Sequence, residues 1–134
     1  MTERQMQIGE VAERTGLSLR TIRHYEEVGL VVPSARSKGG FRLYTEADVE
    51  RLMAIRRMKP LDFSLEEMRD LLEISDRIAA TDELPAGQER ERLYERLDSY
   101  RKVADARCET LRAQLMAGED FAATLRRRLS AHKS

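Results

Sequence analysis

The sequence predicts a mainly helical protein in which a small N-terminal domain with a short β-hairpin precedes a long helix. Three observations lead to this prediction. Two short amphipathic segments meet at Gly16, a strand-like alternation follows Gly39 and Gly40, and apolar residues recur every three or four positions across residues 88–117. Because 36% of the 134 residues are charged and only 5% are aromatic, a small core with long solvated helices is expected.

The first two helices are predicted from apolar spacing and from the residues at their ends. Apolar residues spaced by three and four indicate a helix over about 9–15 that Gly16 ends. Ser18 suits the N-cap of a second helix over 19–28, and Gly29 suits the left-handed position that closes it. Two short helices joined through a glycine turn are typical of a helix-turn-helix, whose second helix enters the major groove of DNA.

A hairpin wing is predicted over residues 31–44. Alternation at period two places Phe41 and Leu43 on one face and Arg42 and Tyr44 on the other. The preceding glycines permit a tight turn and a close approach to DNA. The helix pair and the hairpin together indicate a winged helix-turn-helix DNA-binding domain.

Two further helices are predicted from capping boxes. Thr45 and Ser64 are each followed, three residues on, by an acidic residue. The first box opens a helix that Pro60 stops, and the second opens a helix through Leu72.

The long helix carries a narrow apolar seam. Because such a seam cannot bury itself, we expect an antiparallel coiled coil with a second copy, centred near residue 102. Gly118 is expected to end this helix. The seam residues are Leu93, Leu97, Tyr100, Ala104, Cys108, Leu111 and Leu115.

Four segments follow from these elements. Residues 1–74 are predicted to form the DNA-binding domain, 75–87 a connection, 88–117 the dimerisation helix, and 118–134 a short final helix and tail. The chain is expected to act as a homodimer.

The chain is neutral overall, but its charge is uneven. The 24 basic residues balance 24 acidic ones, yet residues 14–42 hold six basic and two acidic residues. This local excess suits a phosphate backbone. No apolar run approaches the roughly 18 residues of a membrane span, and no secretory signal pattern is present, so a cytoplasmic protein without membrane contact is expected.

Cys108 is the one cysteine of the sequence. A single cysteine excludes an internal disulfide and a multi-cysteine metal or iron–sulfur site within one chain, so neither metal nor other cofactor is expected. The favoured interpretation is a packed thiol, with a single-thiol sensor as the alternative. Catalysis is not expected, because no nucleophile–base pair, paired carboxylates or phosphate-binding glycine loop stands at workable spacing.

Four motifs in fixed order resemble the MerR family of bacterial transcription regulators. The resemblance covers residues 8–72 densely and the long helix loosely. It implies a sequence-specific, homodimeric regulator that binds double-stranded promoter DNA between the polymerase recognition elements, distorts it, and so acts on RNA polymerase indirectly. The motifs are Ile-Gly-Glu-Val-Ala at 8–12, Thr-Ile-Arg-His-Tyr-Glu at 21–26, Gly-Leu-Val-Val-Pro at 29–33 and Gly-Gly-Phe-Arg-Leu-Tyr at 39–44.

The resemblance also implies which residues contact DNA. Two departures from the family pattern are Gln7, a weaker cap for the first helix, and Asp62, which stands where glycine is common and tolerates a left-handed conformation. The implied contacts are Arg20, Thr21, Arg23, His24 and Tyr25 from the second helix, Arg36, Lys38, Arg42 and Tyr44 from the wing, and Lys59 near a second wing.

Two questions stay open at this point. The alternative function is an excisionase-like architectural protein that bends DNA without an effector, although the long dimerisation helix favours the regulator. A regulator of this length has no room for a separate ligand domain, so either a small effector or constitutive action is compatible with the sequence.

Overall fold

The computed structural model describes residues 4–33, 35–80 and 87–133, and most of them are helical. The chain forms two compact units, Met1–Ala86 and Gly87–Ser134. The described elements are α1 (Ile8–Thr15), α2 (Leu19–Glu27), β1 (Ala35–Arg36), β2 (Arg42–Leu43), α3 (Glu46–Met58), a 3₁₀ turn (Lys59–Leu61), α4 (Leu65–Ala79) and α5 (Gln88–Lys133).

The ends of α1 and α2 confirm the helix-turn-helix prediction. Gly16 follows α1 with a φ of 74°, and its N–H donates to the carbonyl of Ala12. Ser18 caps α2 by accepting a hydrogen bond from the backbone N–H of Thr21 at 3.0 Å. Gln7 makes no side-chain cap, as the sequence indicated. The turn between the helices is therefore fixed by local hydrogen bonds.

Three arginines of α3 and α4 donate to carbonyls at the end of α1, at the end of α2 and in the segment just after α2. Arg56 Nη1 donates to the carbonyl of Thr15 at 2.9 Å, and Arg51 Nε donates to the carbonyl of Leu30 at 2.6 Å. Arg69 donates to a carbonyl at the end of α2. A cation at these positions satisfies carbonyls that lack a helical partner and complements the negative end of the helix dipole. We call these three residues the arginine clamp.

The core of the N-terminal unit contains side chains from α1, α2, α3 and α4 and from the segments that flank the hairpin. Met6 and Tyr44 form an antiparallel bridge with two backbone hydrogen bonds of 2.8 Å, which ties the chain start to the end of β2. The side chains buried to 2% exposure or less include Met6, Val11, Ile22, Tyr25, Leu30, Val31, Tyr44, Leu52, Ile55 and Met68.

The hairpin forms, with strands that are shorter than the predicted alternation. Each strand is two residues long, with Arg36 opposite Arg42. Phe41 is 63% exposed, whereas Tyr44 is fully buried. Tyr44 lies just beyond β2 and pairs with Met6 rather than with β1.

Both capping boxes are present, while two helix ends differ from the prediction. Thr45 and Ser64 each accept from the N–H three residues on, and the acid there accepts in return. Asp62 adopts the expected left-handed conformation, with a φ of 59°. Helix α4 continues to Ala79 rather than ending at Leu72, because no glycine or proline interrupts it and Ile74 is buried. Residues 75–79, which were predicted to belong to the connection, are therefore part of α4. Residues 81–86 of the connection lie outside the described part of the chain.

Helix α5 corrects the prediction of a break at Gly118. It runs without interruption over 46 residues. A glycine inside a helix costs only about 0.5–1 kcal/mol relative to alanine, and good helix formers flank it on both sides. Consequently the separate final helix over 118–134 does not exist within the described residues.

Candidate nucleic-acid interface

Helix α2 presents a polar face to solvent. Arg20, Arg23 and His24 are exposed, while Ile22 on the opposite side is fully buried. Thr21 is half-buried, and its hydroxyl accepts a hydrogen bond from the Ser18 hydroxyl at 2.8 Å. Amphipathic spacing in a nine-residue helix thus orients two guanidinium groups outward.

Lys59 lies beside this helix although it is remote in sequence. It begins the 3₁₀ turn after α3, and its side chain lines an open depression together with exposed residues of α2. The fold thus brings Lys59, which the resemblance placed near a second wing, close to the second helix. The depression is lined by Arg20, Thr21, Arg23, His24, Tyr25, Glu27 and Lys59.

A second groove runs between α2 and the wing. Arg23 lines both this groove and the depression beside Lys59. The groove is lined by Gln7, Ile8, Arg23, Arg36, Gly40, Phe41 and Arg42. We call the surface formed by Arg20, Arg23, Arg36, Arg42 and Lys59 the basic face.

Hydrogen bonds within the wing fix its tip. Ser37 N donates to the Phe41 carbonyl at 2.8 Å, and Gly40 N donates to the Ser37 carbonyl at 2.9 Å. Gly40 has a φ of 82°, which favours glycine. Arg36 Nη1 donates to the Gly40 carbonyl at 3.2 Å. This turn leaves Lys38 exposed at its tip.

Glu26 joins the wing to α2, a contact that the sequence analysis missed. Its Oε2 accepts from Arg42 Nε at 3.0 Å, and its side chain is 7% exposed. Burial raises the pKa of the Glu26 carboxyl, while Arg42, Arg36 and Arg23 oppose this shift. Its Oε1 is buried without a hydrogen-bond partner among the described residues. The feature of the sequence that could have indicated this contact is an acidic residue within a segment rich in basic residues.

Two tyrosines among the predicted contacts lie in the core. Tyr44 is fully buried, and its hydroxyl is buried without a partner in the described part of the chain. A DNA contact through its side chain is therefore a wrong prediction. Tyr25 is 2% exposed, lies at the edge of the depression and has a hydroxyl whose pKa burial raises. Its side chain lies in the core on the buried side of α2.

Arg14, one of the six basic residues counted over 14–42, is engaged elsewhere. Its Nη2 donates to Glu46 Oε2 at 2.7 Å. This pair raises the pKa of Arg14 and lowers that of Glu46. The charge of Arg14 is thus balanced by Glu46, which lies outside the basic face. Within that face, Arg42 is itself paired with Glu26.

The described residues hold no group of three histidine, cysteine or acidic side chains placed to bind a metal. Cys108 is a free, half-buried thiol. No helix in the described ranges has both the length and the apolar character needed to cross a membrane.

The fold and the basic face define a winged helix-turn-helix protein of the DNA-binding class. The chain belongs to the MerR family. Residues 6–74 match the family described as MerR HTH family regulatory protein, and residues 49–128 match the family described as MerR, DNA binding.

Proteins similar to this chain include regulators of transcription. The chain is 37% identical over 109 residues to the HTH-type transcriptional activator TipA of Streptomyces coelicolor, covering 81% of this chain and 42% of TipA. It is 48% identical over 67 residues to the HTH-type transcriptional regulator ZntR of Escherichia coli, covering 50% of this chain and 48% of ZntR. The chain therefore spans less than half of the length of both relatives.

A solved structure of the family member HiNmlR, which lacks the sensor domain and is bound to promoter DNA, is also similar. The TM-score is 0.60 at 25% identity, covering 84% of this chain and 79% of HiNmlR.

Proposed function

We propose that this protein is a homodimeric, sequence-specific transcription regulator that binds promoter DNA through the basic face. The observation that carries this proposal is that Arg23 of α2 lines both the groove beside the wing and the depression beside Lys59. Arginine and threonine of α2 read base edges in the major groove, while Lys38 and Lys59 bind phosphates.

Helix α5 supports the homodimer. Leu111 and Leu115 on its seam are 42% and 62% exposed in the single chain. Exposed leucines in a repeating seam need a partner helix, and a second copy supplies the same seam. The long helix and the family match over residues 49–128 also favour the regulator over a short excisionase-like protein.

Two copies joined by a stiff helix hold two recognition helices at a fixed separation. DNA whose half-sites do not match that separation must deform to engage both. Smooth bending of a site costs on the order of 1–6 kcal/mol, which phosphate contacts at both ends can offset. We infer that the dimer distorts the promoter between the polymerase recognition elements and so changes how RNA polymerase engages them.

The test is a footprint on the promoter upstream of the gene for this protein. Wild type is expected to protect two half-sites about two helical turns apart. Arg23→Ala is expected to abolish protection at concentrations where wild type saturates. Arg127→Ala removes an exposed arginine of α5 outside the basic face and serves as the matched control. Equal footprints from both variants would refute binding through this face.

A further inference from the structure

Two adjacent glutamates at the end of α2 have different surroundings. The side chain of Glu26 is 7% exposed and is paired with Arg42 of the wing. Glu27 is exposed and lines the depression beside Lys59, where it is the one acidic side chain among the lining residues that the structure describes. Its carboxylate therefore belongs to the surface that is proposed to meet DNA.

Helical spacing groups Glu27 with the cations of α2. Four residues of this helix stand at positions i, i+3, i+4 and i+7, which fall on one side of a helix, and all of them line the depression. These residues are Arg20, Arg23, His24 and Glu27. In homeodomains, residues with this spacing along the recognition helix contact bases in the major groove. The spacing therefore gives Glu27 the same access to base edges as the arginines.

The end of α2 is an unfavourable place for a carboxylate. Glu27 is the last residue of α2, next to the helix carbonyls that form the negative end of the dipole. No ion pair among the described residues includes Glu27. The local structure thus disfavours this charge. A residue that breaks a local rule without compensation within the fold points to a function.

A carboxylate in the major groove discriminates between bases. It accepts hydrogen bonds and donates none, so it pairs with the N4 amino group of cytosine. Guanine and thymine present oxygen acceptors at this edge, which repel a carboxylate, and adenine presents its amino group beside the N7 acceptor. The neighbouring cations Arg23 and Lys59 offset repulsion between the carboxylate and the flanking phosphates. One acidic residue among cations therefore favours cytosine over the other bases.

We propose that Glu27 is a specificity-determining residue, which accepts a hydrogen bond from the N4 amino group of a cytosine in each half-site. This proposal rests on the DNA binding proposed above. Glu27 lies seven residues after Arg20, which is about 10 Å along the helix axis. At about 3.4 Å per base pair, this distance corresponds to about three steps of the duplex. The selected cytosine therefore lies about three base pairs from the base that Arg20 contacts.

Base preference is measured on duplexes that carry the footprinted half-site, with each position changed in turn to all four bases. Wild type is expected to favour cytosine at one position by roughly tenfold or more over guanine and thymine. Glu27→Ala is expected to lose this preference and to keep the preferences at the other positions. Glu27→Gln is expected to prefer adenine there, because glutamine pairs with the N6 and N7 edge of adenine.

Two further variants serve as references. Glu50→Gln removes an exposed glutamate of α3 that is not among the residues lining the groove or the depression. It is expected to leave every base preference unchanged. Arg20→Ala marks the base pair that Arg20 contacts, and the cytosine is expected to lie about three base pairs away from it.

Three results would overturn the role of Glu27. The first is a set of base preferences in Glu27→Ala that matches wild type at every position. The second is loss of preference for a base other than cytosine. The third is a uniform gain in affinity for all duplexes, since the carboxylate would then only repel phosphates. Failure of the proposed function looks different, because wild type itself would bind the half-site and a scrambled duplex of equal composition with the same affinity.

Urea denaturation separates this role from a structural one. Since the end of α2 disfavours a carboxylate, Glu27→Gln and Glu27→Ala are expected to unfold at urea concentrations no lower than wild type. Loss of the cytosine preference at undiminished stability is thus the expected result. A lower midpoint in both variants would show that the carboxylate stabilises the fold, and would overturn its assignment to DNA.

Discussion

At the scale of single residues, Glu26 and Glu46 show opposite electrostatic environments. Burial raises the pKa of Glu26 despite its pairing with Arg42, whereas the hydrogen bond from Arg14 lowers the pKa of Glu46. A raised carboxyl pKa means that the folded state disfavours the ionised form, so stability falls as pH rises through that pKa. A lowered pKa contributes stability above the ordinary carboxyl pKa, which is lost as pH falls through the folded pKa.

The two glutamine variants are therefore expected to differ in sign. Glu26→Gln should gain free energy of unfolding relative to wild type as pH rises from below the ordinary glutamate pKa toward neutrality. Glu46→Gln should lose it over the same range. Urea denaturation in a pH series measures both differences, and a common sign for the two variants would contradict the assigned environments.

Cations of the basic face and of the wing tip should separate into residues that read bases and residues that bind phosphates. Arg20→Ala is expected to weaken operator binding by about 1–3 kcal/mol and to relax sequence preference. Lys38→Ala at the wing tip should lower the slope of log affinity against log salt by about one, uniformly across sequences. Titrations at four salt concentrations, with specific and scrambled DNA, test this division. Identical behaviour of the two variants would rule it out.

At the scale of elements, helix starts were predictable and some ends were not. Ser18, Thr45 and Ser64 act through hydrogen bonds to the next turn, so the local sequence determines them. Gly118 resembles a stop signal locally, yet α5 passes through it. The prediction placed Tyr44 among the DNA contacts of the wing. Its pairing with Met6 is a tertiary contact, which the alternation of residues does not encode.

The basic face was only partly readable from the sequence for the same reason. The exposed arginines of α2 follow from helical spacing. The approach of Lys59 and the Arg42–Glu26 pair depend on how α3 and the wing pack. Distant segments meet there, and no local pattern specifies such meetings.

Charges on the seam of α5 should abolish dimerisation. Replacing Leu97 and Leu111 by glutamate places unpaired charges against a partner helix, which is strongly unfavourable. Sedimentation velocity is expected to show a monomer. Met116→Glu is the control, because Met116 is 67% exposed and lies well away from the seam. A dimer of wild-type mass in the double variant would show that the seam packs elsewhere.

At the scale of the whole molecule, neutral net charge coexists with a concentrated basic face. The chain has 24 basic and 24 acidic residues, so attraction to DNA depends on orientation. In the proposed dimer, each copy binds one half-site, and the DNA between the half-sites has no direct contacts. Any activation must then act through the geometry of that central segment.

Promoter spacer length tests this mechanism. If the dimer realigns the two recognition elements, shortening an overlong spacer to the usual length should make transcription independent of the protein or convert the protein into a repressor. In vitro transcription on both templates measures the change, and chemical probing of the central base pairs measures deformation. A shortened promoter that still needs the protein, or an unreactive centre, would favour simple recruitment or occlusion.

The arginine clamp bears on whether the protein or the DNA changes shape when the two bind. Arg56 and Arg69 bond to the ends of α1 and α2, and Arg51 bonds to Leu30 just after α2, so all three connect the helix-turn-helix to α3 and α4. Because these hydrogen bonds resist movement of the two helices, we expect a mismatch with the operator to be met by deformation of the DNA. Replacing one of these arginines would let the helices shift more easily. We expect such a variant to bind a poorly matched operator with less bending of the DNA.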